Sequence, residues 1–157
     1  MERLNIELRE AVPGDEVFLI ELFASTRTDE LQALGDDENL KQTFIKMQFH
    51  ARERSYPRVD NRIVLLNGRE IGRILVDRGE NSILLVDIAI LTEFRNAGIG
   101  SRLLQDLIEE SAASGKPLQL HVLNASPAVR LYERLGFRNA GTDGAYLSMT
   151  WTRQESN

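Results

Sequence analysis

The segment Arg95-Asn96-Ala97-Gly98-Ile99-Gly100 constrains this chain more than any other. Ahead of it runs a dense apolar stretch, Ile83-Leu84-Leu85-Val86-Asp87-Ile88-Ala89-Ile90-Leu91. Behind it Leu103, Leu104, Leu107, Ile108 and Ala112 recur at helical spacing, so a helix is expected from near Ser101. The order is strand, glycine turn, helix. An apolar strand without alternation is covered on both faces, which makes it central. Gly98 and Gly100 remove Cβ atoms from the turn and let backbone N–H groups approach a ligand. The unsatisfied amides of a helix start, with the positive end of its dipole, favour an anion. Asn96, Ala97, Gly98, Ile99, Gly100 and Ser101 therefore read as a phosphate cradle, the alternative being a plain strand-to-helix turn.

Two nucleotide motifs fail here. A Walker loop needs Lys followed by Ser or Thr after its last glycine, and Ser101-Arg102 stands there instead; a Rossmann turn needs a third glycine, and position 103 is Leu. Composition narrows the field further. The 157 residues fit one domain, 1–157, with no linker or repeat. Cysteine is absent, which excludes thiol nucleophiles, thiolate metal sites and disulfides and suits a reducing cytoplasm. The net charge of -5 is a poor match for nucleic acid, and Arg52, Arg54 and Arg58 alternate with Glu53 rather than forming a basic stripe. No apolar run approaches the ~18–20 residues of a membrane span, and Met1-Glu2-Arg3-Leu4-Asn5 lacks a signal-peptide apolar region.

The remaining elements follow from periodicity and turn residues. Asn5–Arg9 alternates as a strand, Glu16–Thr26 reads as a helix, Ser25–Glu38 as irregular chain, and Asn39–Glu53 as a second helix through Leu40, Phe44, Met47 and Ala51. Asn67-Gly68 is a hairpin signal between strands 61–66 and 70–77. After the helix ending at Ser114-Gly115, Leu118–Leu123 reads as a further buried strand. Ser126-Pro127 opens a short helix that Gly136 stops, and 137–141 and 145–151 close the domain around Thr142-Asp143-Gly144. The order β-α-α-β-β-β-α-β-α-β-β describes a mixed α/β domain with a central sheet and helices on both faces.

The glycine turn, taken with Leu131-Tyr132-Glu133-Arg134-Leu135-Gly136-Phe137 about thirty residues on and a strand between them, resembles the GCN5-related N-acetyltransferase (GNAT) superfamily. The resemblance spans about residues 4–151. It implies a mostly antiparallel mixed sheet whose two central strands splay, with the pantetheine arm of acetyl-CoA in the gap. It implies that a bulge near the end of the first splayed strand aims the backbone of Ile88, Ala89 and Ile90 at the thioester, that residues 96–101 hold the pyrophosphate, and that Arg95 adds charge beside it. Tyr132 matches the tyrosine that protonates or hydrogen-bonds the departing thiolate, the alternative being a core tyrosine on the apolar stripe of its helix. Relatives often carry Asn six or seven residues before that tyrosine; here Ser126 is the positional match for a pantetheine contact and Asn124 the substitute. The first two helices form the acceptor wall in the superfamily, which points to Arg27, Glu30, Gln48 and Arg52.

Asp87 is a carboxylate in an apolar strand, and either a general base acting through water or a structural ion pair accounts for it. His50 and His121 are too isolated for metal, and His121 reads as hydrogen-bonded structure within a buried strand. The function expected is transfer of an acetyl group from acetyl-CoA to a primary amine of a small molecule or peptide, without metal. A non-catalytic acyl-CoA sensor is the alternative. Oligomeric state stays open, a homodimer paired through the C-terminal strands being one arrangement that the element order allows.

Overall fold

The structure is a computed structural model that describes residues 5–56 and 59–153. Arg58 and Met1–Leu4, which entered the sequence reading, lie outside the described residues. Contacts group the chain into two compact units, Met1–Ile74 with Ile88–Arg95, and Leu75–Asp87 with Asn96–Asn157.

The first unit holds β1 (Ile6–Glu10), a 3-10 turn (Pro13–Asp15), α1 (Glu16–Ser25), α2 (Thr28–Gln32), α3 (Glu38–Ser55), β2 (Asp60–Leu66) and most of β3 (Arg69–Arg78). β1 pairs antiparallel with β2 from Ile6↔Leu66 to Glu10↔Arg62. Asn67 (φ 51°) and Gly68 (φ 84°) both take positive φ, the type I′ geometry that the Asn-Gly pair predicts. Leu19 and Phe23 of α1 pack on Ile45 and Phe49 of α3 and on Ile63 of β2, with the Phe23 and Phe49 rings edge to face at 5.8 Å. The buried stripe of α3 is therefore Ile45 and Phe49, whereas Leu40 and Met47, which signalled the helix in sequence, are exposed. The stretch expected to be irregular contains α2, whose Asp29 and Glu30 occupy the positive N-terminal turn.

Charge pairs organise this unit. Arg9 donates to both Asp15 oxygens (2.8 and 2.9 Å) and to Glu70 (2.7 Å), tying β1 to the start of α1 and to β3. Val12 N–H donates to Asp15 Oδ2 at 2.8 Å. The hydrogen bonds from Arg9, then that from Val12, hold the buried Asp15 carboxyl down at about 2. Arg73, only 3% exposed, pairs with Glu53 and lies 5.7 Å from the Phe49 ring centroid.

The second unit holds the start of β4 (Ile83–Ile90), α4 (Ile99–Ser114), β5 (Leu118–Leu123), α5 (Ala128–Arg134), β6 (Arg138–Asp143) and β7 (Tyr146–Trp151). β4 pairs parallel with β5 over Ile83↔Leu118 to Leu85↔Leu120; β5 and β6 both pair antiparallel with β7. The strand order β1-β2-β3-β4-β5-β7-β6 puts β4 at the middle of a seven-stranded sheet, and none of its residues is exposed. α4 buries Ile99, Leu103, Leu104, Leu107 and Ile108, the expected stripe, and ends on the left-handed Gly115 (φ 74°). β5 alternates buried and exposed residues rather than being covered on both faces. The β6–β7 turn falls at Gly144-Ala145, not at 142–144, with a register shift between Asn139 and Gly141. Among the described residues no helix is long and apolar enough to cross a membrane.

Candidate functional site

β4 ends at Ile90 and a 3-10 turn over Thr92–Phe94 leads to Arg95. Leu91 N–H is tied to Ile71 O (2.8 Å), Phe94 N–H to Leu91 O (2.9 Å), and Arg95 Nε to Ile90 O (3.0 Å), so the entry to the glycine turn is fixed at several points. Asn96 then takes φ 63° and Gly98 φ 81°. Asparagine tolerates the left-handed region better than most residues, and glycine enters it freely. α4 starts at Ile99, earlier than the apolar pattern indicated, because Gly100 contributes nothing to that pattern.

The first bond closing the helix runs from Arg102 N–H to Gly98 O (3.0 Å). No side chain caps α4, and among the described residues the N–H groups of Asn96 through Ser101 have no protein acceptor. Asn96, Ala97 and Gly98 are exposed, Gly100 and Ser101 half-buried, and Ile99 buried. A Cβ added at Gly98 or Gly100 meets nothing within 4 Å, so the space on the Cβ side of these two glycines is open. Unaccepted donors at a helix N-terminus are the groups that an anion would require.

Within the second unit, β4 and β5 share a register of only three residue pairs, although β5 continues to Leu123. After Leu123 the chain turns through Asn124, which is exposed and whose N–H donates to Ala145 O (2.8 Å). Ser126 is half-buried; α5 starts one residue later than expected, with Pro127 rather than Ser126 at its N-cap, yet Ser126 Oγ still accepts from Ala128 N–H (3.2 Å) and keeps its own O–H proton to donate elsewhere.

Tyr132 follows on α5, half-buried, its ring 5.6 Å from that of Phe137. Burial raises the Tyr132 pKa, and the charge of Asp87 raises it further. The phenol thus stays protonated at neutral pH. Asp87 itself is half-buried near the end of this unit's part of β4, so the two side chains singled out separately in sequence are electrostatically coupled.

In the first unit, Gly72 of β3 has no Cβ because one would overlap the Ala89 carbonyl oxygen and stand 2.7 Å from Ile90 Cδ1. β3 therefore closes on β4 where Ile88, Ala89 and Ile90 were singled out, a role for Gly72 that no sequence motif announced. Arg27 lies with its guanidinium 3.7 Å from the Phe23 ring centroid and donates to Thr26 Oγ1 (2.9 Å). Glu30 is exposed on α2, and Gln48 Oε1 on α3 is buried with no hydrogen-bond partner. His50 faces Glu16 at 3.4 Å, and His121 is exposed, bonded to Ser148 Oγ at 3.1 Å, not enclosed as its strand suggested. Among the described residues no cluster of His and carboxylates could hold a metal.

Residues 59–139 match the family model described as an acetyltransferase (GNAT) domain. Solved structures share the fold at low identity. The PaiA N-acetyltransferase of Thermoplasma acidophilum in complex with coenzyme A superposes with a TM-score of 0.72 at 21% identity, covering 95% of this chain and 99% of that one. The ribosomal-protein-S18-alanine N-acetyltransferase of Escherichia coli gives 0.64 at 19% identity over 97% and 96%. A GNAT family acetyltransferase of Elizabethkingia anophelis with acetyl-CoA bound gives 0.63 at 17% identity over 95% and 99%. No curated protein matches the sequence significantly.

Proposed function

Because the chain belongs to the GNAT acetyltransferase family, we propose that it moves an acetyl group from acetyl-CoA to a primary amine of a small molecule or peptide by direct attack in a ternary complex. The observation that carries this is the run of amides from Asn96 to Ser101, which have no acceptor among the described residues, with open space at the Cβ positions of Gly98 and Gly100. Such a run fits a diphosphate. Acetyl-CoA, when bound, supplies an activated thioester carbonyl and a thiol leaving group. That two of the similar structures hold coenzyme A or acetyl-CoA supports the same ligand here.

Each residue then has a task. Asn96–Ser101 grip the diphosphate, and Arg95, its Nε held by Ile90 O, keeps its terminal guanidinium donors for phosphate oxygens. The backbone of Ile88, Ala89 and Ile90 orients the thioester and donates to the oxyanion. Ser126 O–H donates to a pantetheine amide carbonyl, with Asn124 as the neighbouring donor. Tyr132 gives its proton to the departing sulfur. Asp87 keeps that proton on Tyr132 and accepts the amine's proton through water. Arg27, Glu30 and Gln48 are proposed acceptor contacts, Gln48 because its buried Oε1 lacks a partner.

The test mixes the full chain with acetyl-CoA and a panel of amines and peptides and follows free thiol with a thiol reagent. The absence of cysteine removes background from the protein. Amine-dependent thiol release supports the proposal. CoA binding without release for any acceptor replaces it with a sensor, and no binding at millimolar CoA overturns both.

A further inference from the structure

We propose that the cleft between the end of α5 and the end of β7 is a second ligand site, for a small molecule that joins a flat ring to a carboxylate or phosphate. The cleft measures about 780 Å³ and is lined by Gly136, Arg138, Thr150, Trp151, Thr152 and Arg153. It lies within the second unit, away from the cradle. The register Leu118↔Trp151 to Leu123↔Tyr146 puts it at the opposite end of β5 from the Asn124–Ser126 turn, roughly 16 Å along the strand.

Its chemistry selects the ligand. Trp151 is half-buried, and a Cβ at Gly136 would stand 3.0 Å from the indole Nε1 and 3.2 Å from Cδ1. Glycine at 136 thus leaves this edge of the indole uncovered, and among the described residues Nε1 has no acceptor. Arg138 pairs with no carboxylate among the described residues, and Arg153 bonds only the Ala112 carbonyl, at 3.1 Å. Elsewhere in this acidic chain arginines 9, 62, 69, 73 and 78 each meet a carboxylate. Two planar guanidiniums with spare donors, beside an indole and the Thr150 and Thr152 hydroxyls, match an anionic group on a flat ring.

Trp151 is the chain's one tryptophan, so its fluorescence reports the site directly. The full chain, saturated with CoA, is titrated with benzoate, phenyl phosphate, benzylamine and inorganic phosphate. Benzoate or phenyl phosphate is expected to change the emission saturably, the tighter of the two identifying the anion, while benzylamine does not and inorganic phosphate binds more weakly. Arg138→Gln is expected to weaken the ring-bearing anion about tenfold or more, and Arg138→Lys less, because a charge-assisted hydrogen bond is lost in the first and the charge kept in the second. Arg138 is exposed, so melting temperatures of both variants are expected to match wild type. An equal response to benzylamine, a response abolished by saturating CoA, or unchanged affinity in both Arg138→Gln and Arg153→Gln overturns the proposal.

Discussion

Replacing Gly100 by alanine separates binding from folding more cleanly than any other change in this chain. Gly100 is the second residue of α4, and its φ lies outside the left-handed region. The added Cβ meets nothing within 4 Å, so the folded state gains no clash. Alanine is favoured over glycine inside a helix by about 0.5–1 kcal/mol, with the lower end apt for a first turn. At about 2–4 °C per kcal/mol for a chain of this size, the melting temperature holds or rises by about 1–2 °C. In the proposed site the same methyl stands where the diphosphate would enter. Each charge-assisted hydrogen bond contributes about 1.5–3 kcal/mol and each 1.4 kcal/mol is tenfold, so losing one or two amide–phosphate contacts weakens CoA about tenfold to several-hundredfold. Gly98 is a poorer choice, since its φ of 81° makes any side chain strained and mixes folding with binding. Calorimetry with CoA and thermal melts of the same preparation read the two effects. Wild-type CoA affinity in Gly100→Ala would refute the idea that phosphates rest on these amides.

Further outcomes follow from the same geometry. Tyr132→Phe is expected to lower turnover by at least about a hundredfold, the lower bound for losing a general acid, with CoA affinity unchanged; unchanged turnover would leave the tyrosine as core packing only. Asp87→Asn removes a charge that raises the Tyr132 pKa, so ultraviolet titration should find that phenol ionising at lower pH than in wild type. Asp15 titrates near 2 when folded and near 3.8 when unfolded, so its contribution is complete above about pH 4 and is lost as pH falls toward 2. Asp15→Asn should therefore cost about 1–2 kcal/mol at neutral pH, discounted for the partly exposed Arg9, and flatten the acid limb of the urea-unfolding profile. Glu53→Gln leaves the buried Arg73 cation without its partner and should destabilise by about 3 kcal/mol in denaturant titrations, at the low end for a buried pair because Glu53 is partly exposed.

What local pattern specifies was legible before the fold was known. β4 announced its central place by an apolar run without alternation, Asn67-Gly68 its hairpin, and residues 103–108 the buried face of α4. The glycine turn before α4 was legible because glycines leave a trace where other residues do not. Elements that depend on distant partners were not. α2 is a single turn of helix in a polar stretch, too short to show a period. In α3 the apolar residues Leu40 and Met47 carry the helical spacing yet face outward, because the surface that α1 offers selects Ile45 and Phe49. β5 looked uniformly buried because Leu123 and His121 do not declare which side of the sheet they take; pairing on β7 decided it. The Arg9–Asp15–Glu70 clamp and the Arg73–Glu53 pair join residues far apart in sequence, and no spacing rule connects them. The coupling of Asp87 to Tyr132 is of the same kind, and it gives each residue a meaning that neither has alone.

The amides themselves can be watched. In a nitrogen-15 spectrum of the labelled chain, adding CoA to saturation should move the backbone N–H signals of Asn96 through Ser101 the most, downfield as hydrogen bonds to phosphate form, and more than adding the pantetheine fragment alone. If CoA binds while those signals stay in place and the largest shifts lie elsewhere, the diphosphate is held by another part of the molecule.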